Sequence, residues 1–344
     1  MNAGQMEYPV VSVIMPVRNE EGLIARSLGA VLAQDYPADK LEVWVVDGMS
    51  GDGTREIIAQ CSRQRPERPV HLLDNPQRIF ASGFNLGLAQ ARGEVVIMLG
   101  GHTELAPDYA RRCVERLAAH PEYACVGGPL ETVAQTPVGQ AIALAMSSVF
   151  GVGGVAFRTG VQRLMEVDTV AFGAYRRAAM ERCGRLDEEM VRNQDDEYNY
   201  RLREQGGRIL LAPDIRARYH SRASLRSLWK QYLHYGYWKV RVMQKHPRQM
   251  RLRHFVPGAL VATLLAAALG ALFSPWGWGA LALVGGGYLL ANLAASFATA
   301  RRAGWRYWPL LPPVFATLHF SYGLGFLAGL VRFAGRWREQ SPRP

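Results

Sequence analysis

Cysteine is scarce. The 344 residues hold four, Cys61, Cys113, Cys125 and Cys183, and no two share a CxxC or other ligand spacing. That excludes a disulfide scaffold and a cysteine-based zinc or redox motif, and a chain this long buries enough core to fold without such staples. The four read as reduced thiols in a cytosol-facing domain. The opening residues MNAGQMEYPV have neither a basic start nor an apolar run, so they do not read as a secretory signal. Acids are missing from Ile215 to Arg253, a stretch with eleven Lys and Arg. Asp, Glu, Lys and Arg are all missing from His254 to Ala300, and again between Arg306 and Arg332. Two such runs exceed what the core of a soluble protein this size needs, whereas roughly 20 apolar residues span a bilayer. Membrane segments are expected at about 256–274, 277–299 and 309–331, the first pair separated by Ser274-Pro275-Trp276. A buried helical hairpin in a soluble protein is the competing reading.

The formal charge is +11. That suits nucleic acid, an anionic membrane face or phosphate-bearing substrates. Position decides among them. The basic tract directly precedes the first uncharged run, so lipid is the simpler partner and nucleic acid is not expected. Within the tract Leu225, Leu228, Trp229, Tyr232, Leu233 and Tyr235 recur at near-helical spacing. This predicts a basic amphipathic helix over 223–254, lying at the membrane interface. The positive-inside rule places Arg301, Arg302 and Arg306 in the cytosol, with a two-span hairpin before them. A third full span would send the basic tail from Arg332 outside, so 309–331 either re-enters or breaks the rule.

The first hundred residues alternate differently. Short apolar, β-branched runs at 9–15, 41–46, 70–73 and 94–99 are separated by helix-like stretches at 20–34, 53–64 and 80–92. That interval predicts βαβ units and a parallel sheet. Ligands in such sheets bind at the carboxyl ends of the strands. The polar residues fall there: Pro16 to Glu20 after the first strand, Asp47 to Ser50 after the second, Gly100 to His102 after the fourth. Pro16 fixes the chain's exit from strand one. Arg18, Asn19 and Glu20 offer charge and hydrogen bonds to a base and ribose. Asp47 can accept from either, or serve the turn. Gly48 lets the backbone approach closely, and Asp52 caps the next helix. The apolar, Gly-rich stretch 138–158 is too broken to span and fits core, lid or lipid-resting surface. Gln194 to Glu197 place three acids at the start of a helix over 194–204, where the positive helix end favours them.

The stretches VSVIMPVRNE, VVDGMSGDGT, NLGLAQARGEVVIML, GRLDEE and NQDDEYNYRL resemble, in order and spacing, the family 2 inverting glycosyltransferases. The tail ARYHSRASLRSLWKQYLHYGYWKVRVMQKHP looks like the branch containing the succinoglycan-type glucosyltransferases of exopolysaccharide synthesis. The resemblance covers roughly 9–222. It implies a GT-A fold, an α/β mixed sheet flanked by helices, over 1–222, then the basic helix at 223–254 and a transmembrane anchor at 255–344. It implies a nucleotide-sugar site formed by Pro16, Arg18, Asn19, Glu20, Asp47, Gly48 and Arg78. By register Asp195 is the base that takes the acceptor's proton, with Asp196 as runner-up. Arg218 and Arg222 are placed on the diphosphate. Gln231, His234, Tyr235 and Trp238 form a degenerate QxxRW-like acceptor motif, which favours single-sugar transfer over polymerisation.

One departure concerns the metal. Relatives hold a divalent ion with Asp-x-Asp or Asp-x-His after strand four; here Gly100-Gly101-His102 leaves His102 as the candidate ligand for Mn²⁺ or Mg²⁺. Carboxylates suit Mg²⁺ and imidazole suits softer ions, so weak metal dependence is expected. The implied activity is transfer of a sugar, from a UDP-sugar first, to a polyprenyl-diphosphate-linked saccharide in surface or exopolysaccharide assembly. The expected place is the cell membrane, multi-pass, with the catalytic domain in the cytoplasm. A polyprenyl-phosphate sugar synthase and a catalytically impaired nucleotide-sugar-binding scaffold are the alternatives.

Overall fold

The computed structural model describes residues 7–337. Contacts divide them into two compact units. One runs to Glu131 and includes Gly160–Tyr219; the other joins Thr132–Thr159 to the chain from His220 onward.

The first unit is built on a central sheet. Its strands are β1 (Val11–Val17), β2 (Leu41–Asp47), β3 (Val70–Asp74) and β4 (Val95–Met98). Shorter strands follow: β5 (Thr103–Leu105), β6 (Cys125–Gly127), β7 (Leu130–Val133), β8 (Met165–Glu166), β9 (Ala174–Arg176), β10 (Ile209–Leu211) and β11 (Ala217–His220). Eight strands lie in the order β3-β2-β1-β4-β9-β6-β10-β8, and β5-β11-β7 form a small second sheet. β1 pairs in parallel with β2 and β4, and β2 with β3. β9 enters antiparallel between β4 and β6, which makes the sheet mixed. Every residue of β1 is buried, as expected of a central parallel strand covered on both faces. Pro16 is tolerated there because it lies beyond the last β1–β4 pair, Ile14 with Met98, where no ladder N–H is needed on that side.

The covering helices are α1 (Ile24–Leu32), α2 (Thr54–Gln64), α3 (Phe80–Gln90) and α4 (Tyr109–Ala119). α1 buries Ile24, Ser27, Leu28, Val31 and Leu32, a stripe at helical spacing. α3 approaches the sheet closely: a Cβ at Gly87 would lie 2.5 Å from Ile14 Cγ2. The buried Asn85 ties α3 to the chain ahead, its amide donating to the Leu186 carbonyl and Glu188 and its oxygen accepting from Leu186 N–H.

The second unit is helical. It contains α5 (Pro137–Met146), α6 (Val149–Val152) and α7 (Ala156–Thr159). Past α8 (Arg177–Cys183) and α9 (Gln194–Glu204) of the first unit, it continues with α10 (Leu225–Lys245), α11 (Val256–Ala271), α12 (Pro275–Ala303) and α13 (Leu311–Arg332). α12 and α13 are long and apolar enough to cross a membrane; at 1.5 Å per residue they measure about 43 and 33 Å. α12 is mostly exposed, with Trp276, Leu283 and Leu290 each more than 70% accessible. α11 is shorter, at 16 residues.

Of the expected 223–254, Leu225–Lys245 form the helix α10 and the rest holds two short 3-10 turns. Leu228 and Tyr232 of the expected stripe are buried, Trp229 is exposed, and the helix packs on α13. Backbones nearly touch there: a Cβ at Gly325 would fall 2.0 Å from the Leu233 carbonyl oxygen, and one at Gly236 2.0 Å from that of Tyr322. The stretch open to three readings, 138–158, forms α5 to α7 and packs into this unit. Gln140 Oε1 accepts from the Tyr307 hydroxyl at 2.8 Å. His319 Nε2 lies 2.9 Å from the Phe150 carbonyl and its Nδ1 3.1 Å from the Tyr288 hydroxyl. A carbonyl only accepts, so Nε2 carries the proton and Nδ1 accepts from tyrosine. Both ring nitrogens of this buried histidine are satisfied. The tail beyond Trp337 lies outside the described residues.

Candidate active site

The polar segments at the carboxyl ends of β1, β2 and β4 are joined by side-chain bonds. Asn19, at φ 53°, donates its N–H to Ser50 Oγ at 2.9 Å and accepts from Gly51 N–H at 3.0 Å. Glu20 N–H donates to Thr54 Oγ1 at 2.8 Å. Asp52 accepts from Thr54 N–H at the start of α2 and from Glu21 N–H. The two loops therefore form one rigid rim. Gly48 lies under the stem of Arg18, where a Cβ would be 3.2 Å from the Arg18 Cβ. The Arg18 and Arg78 side chains are exposed, and Arg78 stands at φ 61° just after β3.

Asp47 is fully buried. One carboxylate oxygen accepts from the Ser50 hydroxyl, and the other from Ser50 N–H and from Arg55 at 2.9 Å. Arg55 also reaches Asp74 at 2.7 Å, the strand neighbour of Asp47. The turn role is thus realised. A nucleotide contact from Asp47 would share or displace these bonds.

At the end of β4, His102 Nδ1 is 3.1 Å from Glu20 Oε1, and its ring meets Tyr219 edge-on at 5.2 Å. A carboxylate accepts, so Nδ1 donates in this contact, and a bond to a metal would fall to Nε2. The ideal Cβ position of Gly100 lies 4.0 Å from Nε2 and 3.5 Å from the Phe172 ring. One imidazole nitrogen does not make a metal centre. Among the described residues no three His, Cys, Asp or Glu come together to hold an ion, so these residues do not by themselves fit a tightly held divalent cation.

Phe172 links this corner to the acidic turn. It adopts φ 55°, a strained choice for a bulky residue, and its carbonyl accepts from the Tyr109 hydroxyl at 2.6 Å. Just upstream, Thr169 donates to Asp196 at 3.0 Å. Asp195, Asp196 and Glu197 occupy the first turn of α9, behind Asn193 at φ 59°. Glu197 is buried and held by Arg201 through both oxygens, at 2.9 and 3.0 Å. Asp195 and Asp196 are half-buried.

Arg218 lies on β11 opposite Glu104 and pairs with Glu131 at 3.0 Å. Arg222 and the four acceptor candidates belong to the helical unit. On α10, Gln231 donates to the Tyr235 hydroxyl at 2.9 Å, one turn away. His234 is exposed. Trp238 packs near Phe333, with ring centres 5.7 Å apart. Arg55, Phe172 and Thr169 carried no sequence signal, and Ser50 stood out only as the end of the polar segment after β2.

Loops at the strand ends of a mixed α/β sheet, with an acidic helix start at their side, define the GT-A class of glycosyltransferase. Solved structures share this fold. The mannosyltransferase PcManGT of Pyrobaculum calidifontis, in complex with GDP-Man and Mn²⁺, has a TM-score of 0.59 at 23% identity, over 94% of this chain and 88% of its own. S. aureus TarS 1–349, in complex with UDP-GlcNAc, gives 0.53 at 15% identity over 97% and 93%. By sequence, residues 12–181 match the glycosyl transferase family 2 model. The succinoglycan biosynthesis protein ExoA of Rhizobium meliloti (strain 1021) is 30% identical over 98% of this chain and 99% of its own length. The dolichyl N-acetyl-alpha-D-glucosaminyl phosphate 3-beta-D-2,3-diacetamido-2,3-dideoxy-beta-D-glucuronosyltransferase of Methanococcus voltae is 26% identical over 68% and 74%. This chain belongs to the family 2 glycosyltransferases.

Proposed function

We propose that the protein transfers one sugar, with inversion, from a UDP-sugar to a saccharide carried on polyprenyl diphosphate, at the cytoplasmic face of the cell membrane. The observation that carries this reading is the rigid rim at the ends of β1, β2 and β4 together with the acidic first turn of α9. The rim offers Arg18, Asn19, Glu20, Gly48 and Arg78 to a nucleotide, with Asp47 beneath. In the reaction the acceptor oxygen attacks the anomeric carbon as the bond to diphosphate breaks. Asp195 takes the acceptor's proton. Arg218 and Arg222 are proposed to neutralise the leaving diphosphate, which an arginine fork does through paired bonds. Gln231, His234, Tyr235 and Trp238 are proposed for the acceptor side.

Two observations support a lipid-borne acceptor. α12 and α13 have membrane-spanning length and composition, and the Methanococcus voltae relative is named for a dolichyl phosphate sugar. A bound divalent ion would supply Lewis-acid help to the leaving group; the donor proposed toward it is His102.

The deciding experiment uses purified full-length protein with UDP-, GDP- and dTDP-sugars and a polyprenyl-diphosphate saccharide, following nucleotide release. Asp195→Asn is expected to abolish transfer while nucleotide binding persists. Full turnover by that variant, with loss in Asp196→Asn, moves the base by one residue. Glycosylation of bare polyprenyl phosphate supports the synthase reading instead. Silence with every donor and acceptor supports the scaffold.

A further inference from the structure

Behind the acidic turn, three buried side chains form a run of hydrogen bonds with a single direction. The Tyr175 hydroxyl donates to Asn199 Oδ1 at 2.9 Å. Asn199 Nδ2 donates to Thr169 Oγ1 at 2.9 Å. Thr169 Oγ1 donates to Asp196 Oδ1 at 3.0 Å. The direction follows from chemistry. Asn199 Nδ2 also lies 3.3 Å from the Val170 carbonyl, which can only accept, so the amide has one orientation. Its oxygen then faces Tyr175. Burial pushes that phenol's pKa well above its ordinary value, so it stays a donor. The Thr169 oxygen receives an N–H, which leaves its own proton for Asp196.

The run is anchored at its far end in the sheet. Tyr175 sits on β9, opposite Val96 of β4 and Cys125 of β6. Asn199 stands three residues after Asp196 and four after Asp195, on one face of α9. Asn199, Tyr175 and Thr169 are 0%, 1% and 5% exposed. A satisfied buried polar chain of this kind fixes one geometry where apolar packing would allow several. It ends on a carboxylate that, as a plain helix cap, would need only its own helix's N–H groups.

We propose that Tyr175, Asn199 and Thr169 are positioning residues that make Asp196 a fixed orienting carboxylate and thereby aim Asp195 at the acceptor hydroxyl. The inference rests on the reading of Asp195 as the base. Thr169 reaches from the loop that leads to Phe172 and the end of β4. The acidic turn is thus referenced to the strand end where the donor is expected, rather than to its own helix alone. Asp195 and Asp196, alike in residue type, then have different tasks.

The test is Thr169→Val in the full-length protein, a change that keeps shape and deletes the one donor. The kcat for nucleotide release is expected to fall on the order of a hundredfold, the size of effect a small misplacement of a reacting group produces, with donor KM unchanged. Thr169→Ser is expected to restore turnover, and Tyr175→Phe to fall in between. Wild-type turnover in Thr169→Val, equal losses in the Val and Ser variants, or donor KM rising in step with the fall in kcat would each overturn the proposal. Asp195→Asn in the same assay separates the two levels. If that variant is dead and Thr169→Val is unimpaired, only the positioning role fails. If it turns over normally, the base assignment fails and the positioning role with it.

Discussion

Gly100 leaves open space beside Nε2 of His102, and nothing lies closer to its ideal Cβ position than the Phe172 ring at 3.5 Å. That is ordinary contact, and the φ there is not one that disfavours a side chain, so Gly100→Asp fits without moving its neighbours. The carboxylate would sit beside Nε2 and complete a two-ligand pair. Hard Mg²⁺ gains most from such an oxygen, while a lone imidazole leans toward Mn²⁺. Wild-type activity is accordingly expected to be weakly supported by Mg²⁺, better by Mn²⁺, and partly retained in EDTA. Gly100→Asp is expected to tighten metal dependence and shift it toward Mg²⁺. Metal-titrated nucleotide release checks both; complete loss of wild-type activity in EDTA would mean that ligands outside His102 complete the site. Residue roles were only partly legible in the sequence. The strand-end position of Asp47 was readable, but the bonds from Ser50 and Arg55 were not, because neither spacing nor composition says where an arginine's far end goes. Asn199 was readable in principle, since it falls one turn after the acids on the same helical face.

Elements were more legible. The four long parallel strands and the helices between them follow from period and length, and the observed ends lie within a few residues of the expected ones. The short strands β5 to β11 did not announce themselves. Two to four residues carry no periodicity, and the antiparallel entry of β9 between β4 and β6 is a long-range event that local pattern does not encode. The α10–α13 crossing was hidden for a similar reason: its glycines matter only once the facing backbone is known. Gly325→Ala places a methyl carbon 2.0 Å from the Leu233 carbonyl oxygen, so the helices must separate. A loss of about 2 kcal/mol is expected from such overpacking. Gly286→Ala on exposed α12, where nothing lies within 4 Å, is the control and is expected to be neutral or slightly stabilising. Thermal unfolding of both variants in detergent checks the difference.

At the level of the whole chain, the helical unit has no acidic residue among its described positions. It also recruits 132–159 from between strands of the catalytic unit, which composition alone left open among core, lid and surface. A chain ending at residue 222 would therefore keep α5 and α6 while losing the α12 and α13 surfaces on which they pack. It is expected to aggregate or to need detergent, and the full-length chain to stay with membranes at high salt, because α12 and α13 are long and apolar enough to span one and apolar burial, unlike charge attraction, is not screened by salt. Fractionation of the two forms at low and high ionic strength checks this; a freely soluble, monodisperse 1–222 would contradict it.

The bond between His319 and the Phe150 carbonyl joins residues 169 positions apart. During synthesis, at 5–20 residues per second, the ribosome needs on the order of ten to thirty seconds to cover that distance. For that interval the newly made α5 and α6 have no partner helix. Closure of the helical unit is therefore tied to the synthesis of α13, and a nascent chain stalled before it carries an unfinished apolar hairpin that chaperones and proteases can read as incomplete.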